Sequence, residues 1–271
     1  IEFISFLDKP ENTVMGNDGY LHYSSLSDRE MASYSHTNLL TNDELKHAAY
    51  VWKNRKQLLN DKNISCFMAV WPNKTTIYHE TVPLRMRMQK VDTISKLDQI
   101  IQFLEVKESP VKIIDVRDEL TSKKTEEELY LKHDTHWNEL GAFYAYQKLM
   151  ISINEIPLSL SDFEIYWSET SKGDLKGMMG LCNSTNIHEI VPTLTFKNSK
   201  GKVTRIDHET ESRFIMKNDN KALKGRILIF RDSFTSALMP YISLHFKECH
   251  VIWSGYNQDI VDRLKPDIVL V

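Results

Sequence analysis

Apolar residues recur along most of the chain at the spacings of helices and buried strands. Steps of three and four residues predict helices over 42–60, 92–107, 138–151, 234–244 and 258–264. Continuous apolar runs predict buried strands at 64–71, 111–116, 226–230, 249–253 and 267–271. Strands and helices that alternate in this way form parallel β-α-β units. The pattern therefore predicts an α/β sandwich around a mostly parallel sheet.

One section, 155–221, departs from this alternation. Its short β-prone runs, separated by Pro and Gly residues, predict an insertion with a few short antiparallel strands. The α/β pattern returns after it, so we predict a single domain over residues 1–271 with this insertion inside it.

Turn and cap signals add three local expectations. Asn17-Asp18-Gly19 between apolar flanks predicts a β-hairpin. Asn42 or Asp43 is suited to cap the first long helix. A short helix is expected at 125–129.

Charge and hydropathy exclude two classes of protein. Lys and Arg number 34 against 37 Asp and Glu, a net charge of −3, whereas a general nucleic-acid binder shows a basic excess. No apolar run reaches the roughly 18 residues of a membrane span. The chain starts at Ile1 and ends in the strand-like run PDIVLV, so we expect further sequence at both ends of the natural protein.

The segment Arg231-Asp232-Ser233-Phe234 directly follows a predicted strand and precedes a predicted helix. Sites in open α/β sheets lie beyond the carboxyl ends of strands. A serine on such a strand-to-helix turn is exposed, and its own N–H together with the helix N-terminus faces any oxyanion formed there. Ser233 is therefore a candidate nucleophile. The alternative is that Ser233 only caps the helix.

A second chemical segment is His133-Asp134-Thr135-His136-Trp137-Asn138, between an extended piece and a helix. Residues two apart in an extended stretch point to one side, so Asp134 can accept a hydrogen bond from His136. That bond would orient the imidazole as the base that a serine nucleophile needs. Two alternatives stay open. His133, Asp134 and His136 could bind zinc or iron, or the Asp–His pair could simply cap the helix.

Together these residues resemble a known family. Asp134-Thr135-His136-Trp137, followed by Asn138, Gly141 and Ala142, resembles the DxHW signature of the alginate O-acetyltransferase-like proteins, a branch of the SGNH hydrolases that includes the DHHW proteins. Further pieces are similar in the same order: VMGNDGYL (14–21), WPNK (71–74), KGDL (172–175), RDSF (231–234) and PDIV (266–269).

The resemblance implies a flavodoxin-like, three-layer SGNH fold and a triad of Ser233, His136 and Asp134. Arg231 stands where SGNH enzymes commonly have glycine. Asn138 and Lys74 are candidate oxyanion donors by position, although Lys74 could equally be a solvated turn lysine. Arg231 and Trp137 are further candidates for substrate binding.

Aromatic side chains are candidates for stacking on sugar rings. They are Trp137, Tyr166, Trp167 and Trp253, and packing in the core is the expected role of each.

The implied activity is transfer of acetyl groups, through an acetyl-serine, to hydroxyls of an exopolysaccharide or secondary cell-wall polysaccharide. The implied partners are that polysaccharide and a membrane-bound O-acyltransferase that supplies the acetyl group, with no cofactor and no metal. The implied location is extracytoplasmic, with an anchor in a segment preceding Ile1. Two other functions use the same residues: an acetylesterase, and a polysaccharide-binding protein without catalysis.

Overall fold

The computed structural model describes residues 12–25, 30–181, 187–198, 201–207 and 213–271. The α-helices in these ranges are α1 (Glu30–Tyr34), α2 (Asn42–Asn60), α3 (Lys74–Ile77), α4 (Leu84–Arg87), α5 (Lys96–Val106), α6 (Arg117–Lys123), α7 (Glu139–Ser152), α8 (Asp174–Met178), α9 (Met239–Ile242) and α10 (Gln258–Leu264). Short 3-10 helices lie at His79–Thr81, Leu160–Asp162 and Phe234–Leu238.

The strands in the described ranges are β1 (Thr13–Met15), β2 (Leu21–Tyr23), β3 (Ser65–Val70), β4 (Ile113–Asp115), β5 (Phe163–Thr170), β6 (Glu189–Phe196), β7 (Val203–Asp207), β8 (Arg213–Asn218), β9 (Arg226–Phe230), β10 (Glu248–Ile252) and β11 (Ile268–Leu270). The central sheet has the order β4-β3-β11-β9-β10-β8-β7. Its first five strands run parallel, which confirms the predicted mostly parallel sheet.

Both faces of the central sheet are covered, as the continuous apolar runs predicted. In β9, Ile227 and Ile229 face a core that contains the buried residues of α7 and α9. Leu228 and Phe230 face the other core, which α2 and α10 cover. Successive strand residues point to opposite faces, so a strand buried between two layers is apolar throughout. The result is a three-layer sandwich.

The inserted section contributes to the main sheet as well as forming its own. As predicted, its strands are antiparallel, and β5 and β6 make a separate two-stranded sheet. The sequence did not predict that two of these strands join the central sheet: β8 pairs with β10, and β7 pairs with β8. β8 covers an edge of β10 that would otherwise expose unpaired N–H and C=O groups, and β7 extends the sheet beyond β8.

Helix boundaries differ from the sequence pattern where caps decide them. Thr41, not Asn42 or Asp43, caps α2 through a reciprocal pair of bonds with Glu44. The helix predicted from residue 92 begins at Lys96, because Ser95 caps it in the same manner.

The helix expected at 125–129 was wrong: residues 124–126 form turns after α6. Tertiary hydrogen bonds replace helical ones here. The N–H of Leu129 donates to the Tyr78 hydroxyl at 2.9 Å, and its carbonyl accepts from Asn138 N at 2.9 Å.

The predicted hairpin is confirmed by β1 and β2. Its turn places Asp18 and Gly19 at φ of 55° and 80°, the left-handed region in which Gly carries no steric penalty. Leu21 N donates to Lys132 O at 2.8 Å, so the hairpin packs against the segment that carries the predicted base. Within the described ranges, no helix combines the length and apolarity needed to cross a bilayer.

Candidate active site

The predicted acid and base lie on residues 131–136, which we call the His-Asp loop. An antiparallel bridge between Tyr130 and Trp137 closes it, and Leu131 N donates to His136 O at 3.1 Å. The loop is bent rather than extended as the sequence suggested. Asp134 and His136 therefore meet through a tight turn, not through the alternation of a strand.

The hydrogen bond expected between Asp134 and His136 is present. Asp134 Oδ1 accepts from His136 Nδ1 at 2.7 Å and also from His136 N at 3.0 Å. The second carboxylate oxygen of Asp134 accepts from Asp174 N at 2.9 Å. The carboxylate is thus fixed from both sides, and it orients the imidazole through Nδ1, which leaves Nε2 for chemistry.

The surrounding charges make His136 more basic than a free imidazole. Burial alone would lower the pKa of His136, but the hydrogen bond that it donates to Asp134 and the negative charges of Asp134, Asp174 and Asp232 outweigh burial and raise the pKa. Burial likewise opposes ionisation of Asp134, but hydrogen bonds from His136 and from the N–H of Asp174 lower the pKa of Asp134. The Asp134 carboxylate is therefore ionised at neutral pH, and the raised pKa of His136 makes its neutral form a stronger proton acceptor.

Ser233 lies on the turn after β9, where the sequence placed it, but a different residue caps the helix. Asp232 Oδ1 accepts from Thr235 N and from Thr235 Oγ1, each at 3.3 Å. Ser233 makes no capping bond, so the alternative role as a helix cap is wrong. Within the described residues, neither its hydroxyl nor its N–H has a hydrogen-bond partner.

The helix after Ser233 is weaker than predicted. Instead of one helix over 234–244, a 3-10 helix occupies Phe234–Leu238 and the four-residue α9 follows. A helical element this short contributes little electrostatic stabilisation to an oxyanion, because the helix macrodipole is the sum of many aligned peptide dipoles. The N–H of Ser233 is therefore a better oxyanion donor than the helix end.

The fold brings the serine turn against the His-Asp loop. The ring of Phe234, the residue after Ser233, lies 4.8 Å from the His136 ring between centroids. Trp137 Nε1 donates to Phe234 O at 3.2 Å. No hydrogen bond joins Ser233 to His136 among the described contacts, and such bonds are often long in unliganded active sites.

Two residues predicted near the oxyanion or substrate have structural roles instead. Asn138 caps α7: its Oδ1 accepts from Leu140 N and Gly141 N, each at 3.0 Å, and its Nδ2 donates to Glu128 O. It is buried and turned into the fold, so the oxyanion role was wrong. Trp137 is 2% exposed and packs edge-on against Phe234, which excludes stacking on a sugar.

Lys74 is neither a solvated turn lysine nor an oxyanion donor. It is 3% exposed, and its ammonium donates to three main-chain carbonyls of the His-Asp loop. Burial lowers the pKa of Lys74 to about 7, although the negative charges of Glu189, Asp134 and Asp174 act to raise it. All three ammonium protons are taken up by the protein, so none is directed at a substrate.

Arg231 braces the serine turn from the position where glycine is common. Its Nη1 donates to Asp232 O at 3.1 Å and to Ser236 Oγ at 2.7 Å. The guanidinium lies 4.5 Å from the ring centre of Trp253. Arg231, Asp232 and Trp253 line an open cleft of about 470 Å³ beyond the carboxyl ends of β3 and β9.

Three of the four aromatic residues considered for sugar stacking are exposed, contrary to the expectation of core packing. Tyr166 and Trp167 lie on β5, and Trp253 follows β10; their exposures are 55%, 58% and 50%. Of these, Trp253 borders the cleft beside the serine turn.

The metal alternative changes its membership in the structure. His133 turns away from the pair, and its Nδ1 lies 3.2 Å from Glu189 Oε1. Ligand atoms of Asp134, His136 and Asp174 lie within 4.8 Å of one another, close enough to bind a cation. However, His136 Nδ1 already donates to Asp134, so a bound cation would have to displace that hydrogen bond.

Sequence reasoning missed Glu189, which accepts from Lys132 N and His133 N. It is 56 residues from His133, in the inserted section, and no local pattern identifies such a contact. Asp174 was noticed only as part of the KGDL segment. Its carboxylate accepts from Thr135 N at 2.8 Å and lies 3.8 Å from His136 Nδ1.

Comparison with known proteins identifies the family of this chain. The family model described as "SGNH hydrolase-like domain, acetyltransferase AlgX" matches residues 13–210. A search of curated proteins gave no match. Bacillus cereus PatB1 with a sulfonyl adduct is 16% identical, with a TM-score of 0.68 over 95% of this chain and 93% of that chain.

Two further solved structures share the fold. A DHHW family protein from Eubacterium siraeum DSM 15702 is 18% identical, with a TM-score of 0.65 over 97% of this chain and 90% of that one. The O-acetyltransferase domain of Pseudomonas putida AlgJ is 14% identical, with a TM-score of 0.52 over 96% and 89%. The predicted SGNH hydrolase-like fold is therefore confirmed.

Proposed function

This chain belongs to the family of SGNH hydrolase-like domains described for the acetyltransferase AlgX, and on that premise we propose that it is a serine-dependent polysaccharide O-acetyltransferase. The single observation that carries the proposal is the oriented Asp134–His136 pair packed against the turn that holds Ser233. Ser233 lies beyond the matched residues 13–210, so its role is argued from its position after β9 and from its unengaged hydroxyl.

The first half-reaction loads the serine. His136 Nε2 takes the proton of the Ser233 hydroxyl as Oγ attacks the carbonyl carbon of an acetyl ester. The tetrahedral intermediate carries its negative charge on the former carbonyl oxygen. It collapses when the donor alcohol leaves with the proton from His136, and Ser233 keeps the acetyl group as an ester.

The second half-reaction returns the enzyme to its starting state. A sugar hydroxyl loses its proton to His136 Nε2 while its oxygen attacks the acetyl-serine carbonyl. A second tetrahedral intermediate forms, and Ser233 Oγ leaves with the proton from His136. In both halves, Asp134 stabilises the imidazolium and holds its tautomer without taking the proton.

The N–H of Ser233 is the proposed hydrogen-bond donor to the oxyanion, because it has no acceptor among the described residues. One well-placed donor of this kind contributes about 10²–10³ in rate. Asn138 and Lys74 are buried and donate to main-chain carbonyls of the fold. Any second donor would therefore be another group on the serine turn, or one that moves into place when substrate binds.

The acceptor we propose is a hydroxyl of an extracytoplasmic polysaccharide, either an exopolysaccharide or a secondary cell-wall polymer. The cleft of about 470 Å³ beside Asp232 is within the usual size of ligand sites, about 300–1,000 Å³. A membrane-bound O-acyltransferase is the proposed donor partner, and the chain's location would then be the cell surface or periplasm. The reaction needs no cofactor.

The second candidate is an acetylesterase, in which water replaces the sugar in the second half-reaction. The same residues would serve both, so the acceptor decides between them. The test is to incubate the protein with p-nitrophenyl acetate, with and without cell-wall oligosaccharides, and to analyse the sugars by mass spectrometry. A transferase yields acetylated oligosaccharide and releases p-nitrophenol faster when acceptor is present.

The control for that test is Ser233→Ala, which should form no acetylated sugar and release no p-nitrophenol above the uncatalysed rate. Unchanged sugars together with steady acetate release from wild type would assign the protein as an esterase. If wild type and Ser233→Ala behave alike, the proposed nucleophile is wrong.

A further inference from the structure

The main chain of the His-Asp loop has no regular secondary structure, and charged side chains satisfy most of it. Lys74 Nζ lies 2.8, 3.1 and 2.6 Å from the carbonyl oxygens of Leu131, Lys132 and Asp134. An ammonium group has three protons, so these three acceptors use its full capacity. Lys74 is thus fitted to the carbonyl side of this loop.

The carboxylate of Glu189 binds the N–H side of two of the same peptide groups. Glu189 Oε2 accepts from Lys132 N at 2.6 Å, and Oε1 accepts from His133 N at 3.2 Å. Glu189 is buried, on strand β6 of the inserted section. The negative charge of Glu189 raises the pKa of Lys74, on helix α3, and so favours its charged form. The loop is therefore held between a buried cation and a buried anion from distant parts of the chain.

Resting on the function proposed above, we propose that Lys74 and Glu189 are a pair of positioning residues that fix the His-Asp loop so that His136 faces Ser233 in reactive alignment. Lys74 binds the main chain of Asp134, whose side chain orients His136. A shift of that carbonyl therefore moves the base itself. A misplacement of about 1 Å in an active site can cost about 100-fold in rate.

The pair also gives the inserted section a role in catalysis. Sites built on irregular loops need support from outside the loop to hold reacting groups in place. Glu189 and Asp174 both belong to the insertion, and both accept from N–H groups of the His-Asp loop. The insertion acts on the base without contributing a reacting group.

The test compares Lys74→Met with a matched lysine variant. Lys124→Met is the control, because Lys124 Nζ also donates to a main-chain carbonyl, that of Ile77 at the end of α3, and to Glu80, but to no residue of the loop among the described contacts. We expect Lys74→Met to lower kcat/KM for p-nitrophenyl acetate at least about 100-fold. Lys124→Met should stay within about threefold of wild type, the spread expected for a change outside the site.

A second measurement separates positioning from general loss of stability and does not depend on activity. Hydrogen exchange followed by mass spectrometry should show the peptide spanning 131–136 exchanging at least about tenfold faster in Lys74→Met than in wild type, while the central strands stay protected. Because exchange reports loop order whatever the enzyme does, it tests this inference even if Ser233 proves not to be acetylated.

The pH profile gives a readout that a purely structural loss would not move. The groups facing His136 are Asp134 on its own loop, Asp174 from α8 and Asp232 from the serine turn. If the loop shifts in Lys74→Met, His136 moves away from Asp134 and its pKa drops. The acid limb of the kcat/KM profile then moves to lower pH. Simple removal of a nearby positive charge would move that limb to higher pH instead.

Glu189→Gln is the second variant, used as the main test if Lys74→Met does not fold, because it removes the charge and keeps the shape. One side-chain oxygen becomes an NH₂ group that cannot accept from the loop. Since both residues act on one loop, Lys74→Met/Glu189→Gln should lose less than the product of the single losses. Single variants within threefold of wild type, with unchanged exchange over 131–136, would overturn the inference.

Discussion

The substitution Asp134→Asn isolates the contribution of one negative charge to the base. Asp134 Oδ1 accepts two hydrogen bonds from His136, whereas Oδ2 accepts one from Asp174 N. An asparagine will therefore turn its carbonyl oxygen toward His136, where it meets two donors, and its NH₂ toward Asp174. In that orientation the imidazole keeps its tautomer and loses only the charge beside it.

The size of the loss follows from that geometry. At 2.7 Å, the Nδ1–Oδ1 bond lies in the range of charge-assisted hydrogen bonds. Such bonds contribute about 1.5–3 kcal/mol. At about 1.36 kcal/mol per factor of ten, this corresponds to a loss of about 10- to 160-fold in kcat/KM. A reversed tautomer would cost far more, about 10⁴-fold.

The assay is release of p-nitrophenol from p-nitrophenyl acetate by wild type, Asp134→Asn and Asp134→Ala, with melting temperatures measured alongside. Asp134→Ala should be slower than Asp134→Asn, because it leaves His136 Nδ1 with only the Thr135 hydroxyl, at 3.1 Å, as a hydrogen-bond partner. A folded Asp134→Asn enzyme within threefold of wild type would refute the orienting role of Asp134. A loss near 10⁴-fold would refute the amide orientation worked out above.

Three further predictions concern the same region. Because the pKa of His136 is raised and catalysis needs the neutral imidazole, kcat/KM should rise with pH through an acid limb centred above pH 6.5. Asp174→Asn removes one of the charges that raise this pKa, so it should move the limb to lower pH. An unmoved limb would contradict the argument. Gly173→Ala should destabilise the fold by about 1–3 kcal/mol in urea unfolding, since an added Cβ would lie 2.2 Å from His133 O. Asn138→Ala should cost about 0.5–2 kcal/mol in the same experiment, because it removes the α7 cap, whereas an oxyanion donor would lose rate without losing stability.

Local patterns predicted the parts of the fold that neighbouring residues determine. The strand RILIF was correct at both ends, since an unbroken apolar run is what a strand between two layers requires. The start of α5 was less accurate, because the capping bond between Ser95 and Asp98 decides it. The helix expected at 125–129 failed because Leu129 bonds Tyr78 and Asn138 instead.

The same distinction between local and long-range contacts separates the site residues that could be predicted from those that could not. The Asp134–His136 hydrogen bond joins residues two apart, so spacing was enough to predict it. The roles of Lys74 and Glu189 depend on contacts across 56 to 60 residues, which only the folded chain brings together. Asn138 was misassigned because the same side chain that suits an oxyanion site also suits a helix cap, and burial decides between them.

The central claim is that Ser233 accepts an acetyl group with His136 as its base. The most direct test is intact-protein mass spectrometry after brief incubation with p-nitrophenyl acetate, on wild type, Ser233→Ala and His136→Ala. We predict one acetyl adduct on wild type that maps to Ser233, none on Ser233→Ala, and strongly slowed formation on His136→Ala. An adduct that persists in Ser233→Ala, or none on wild type, would contradict the account.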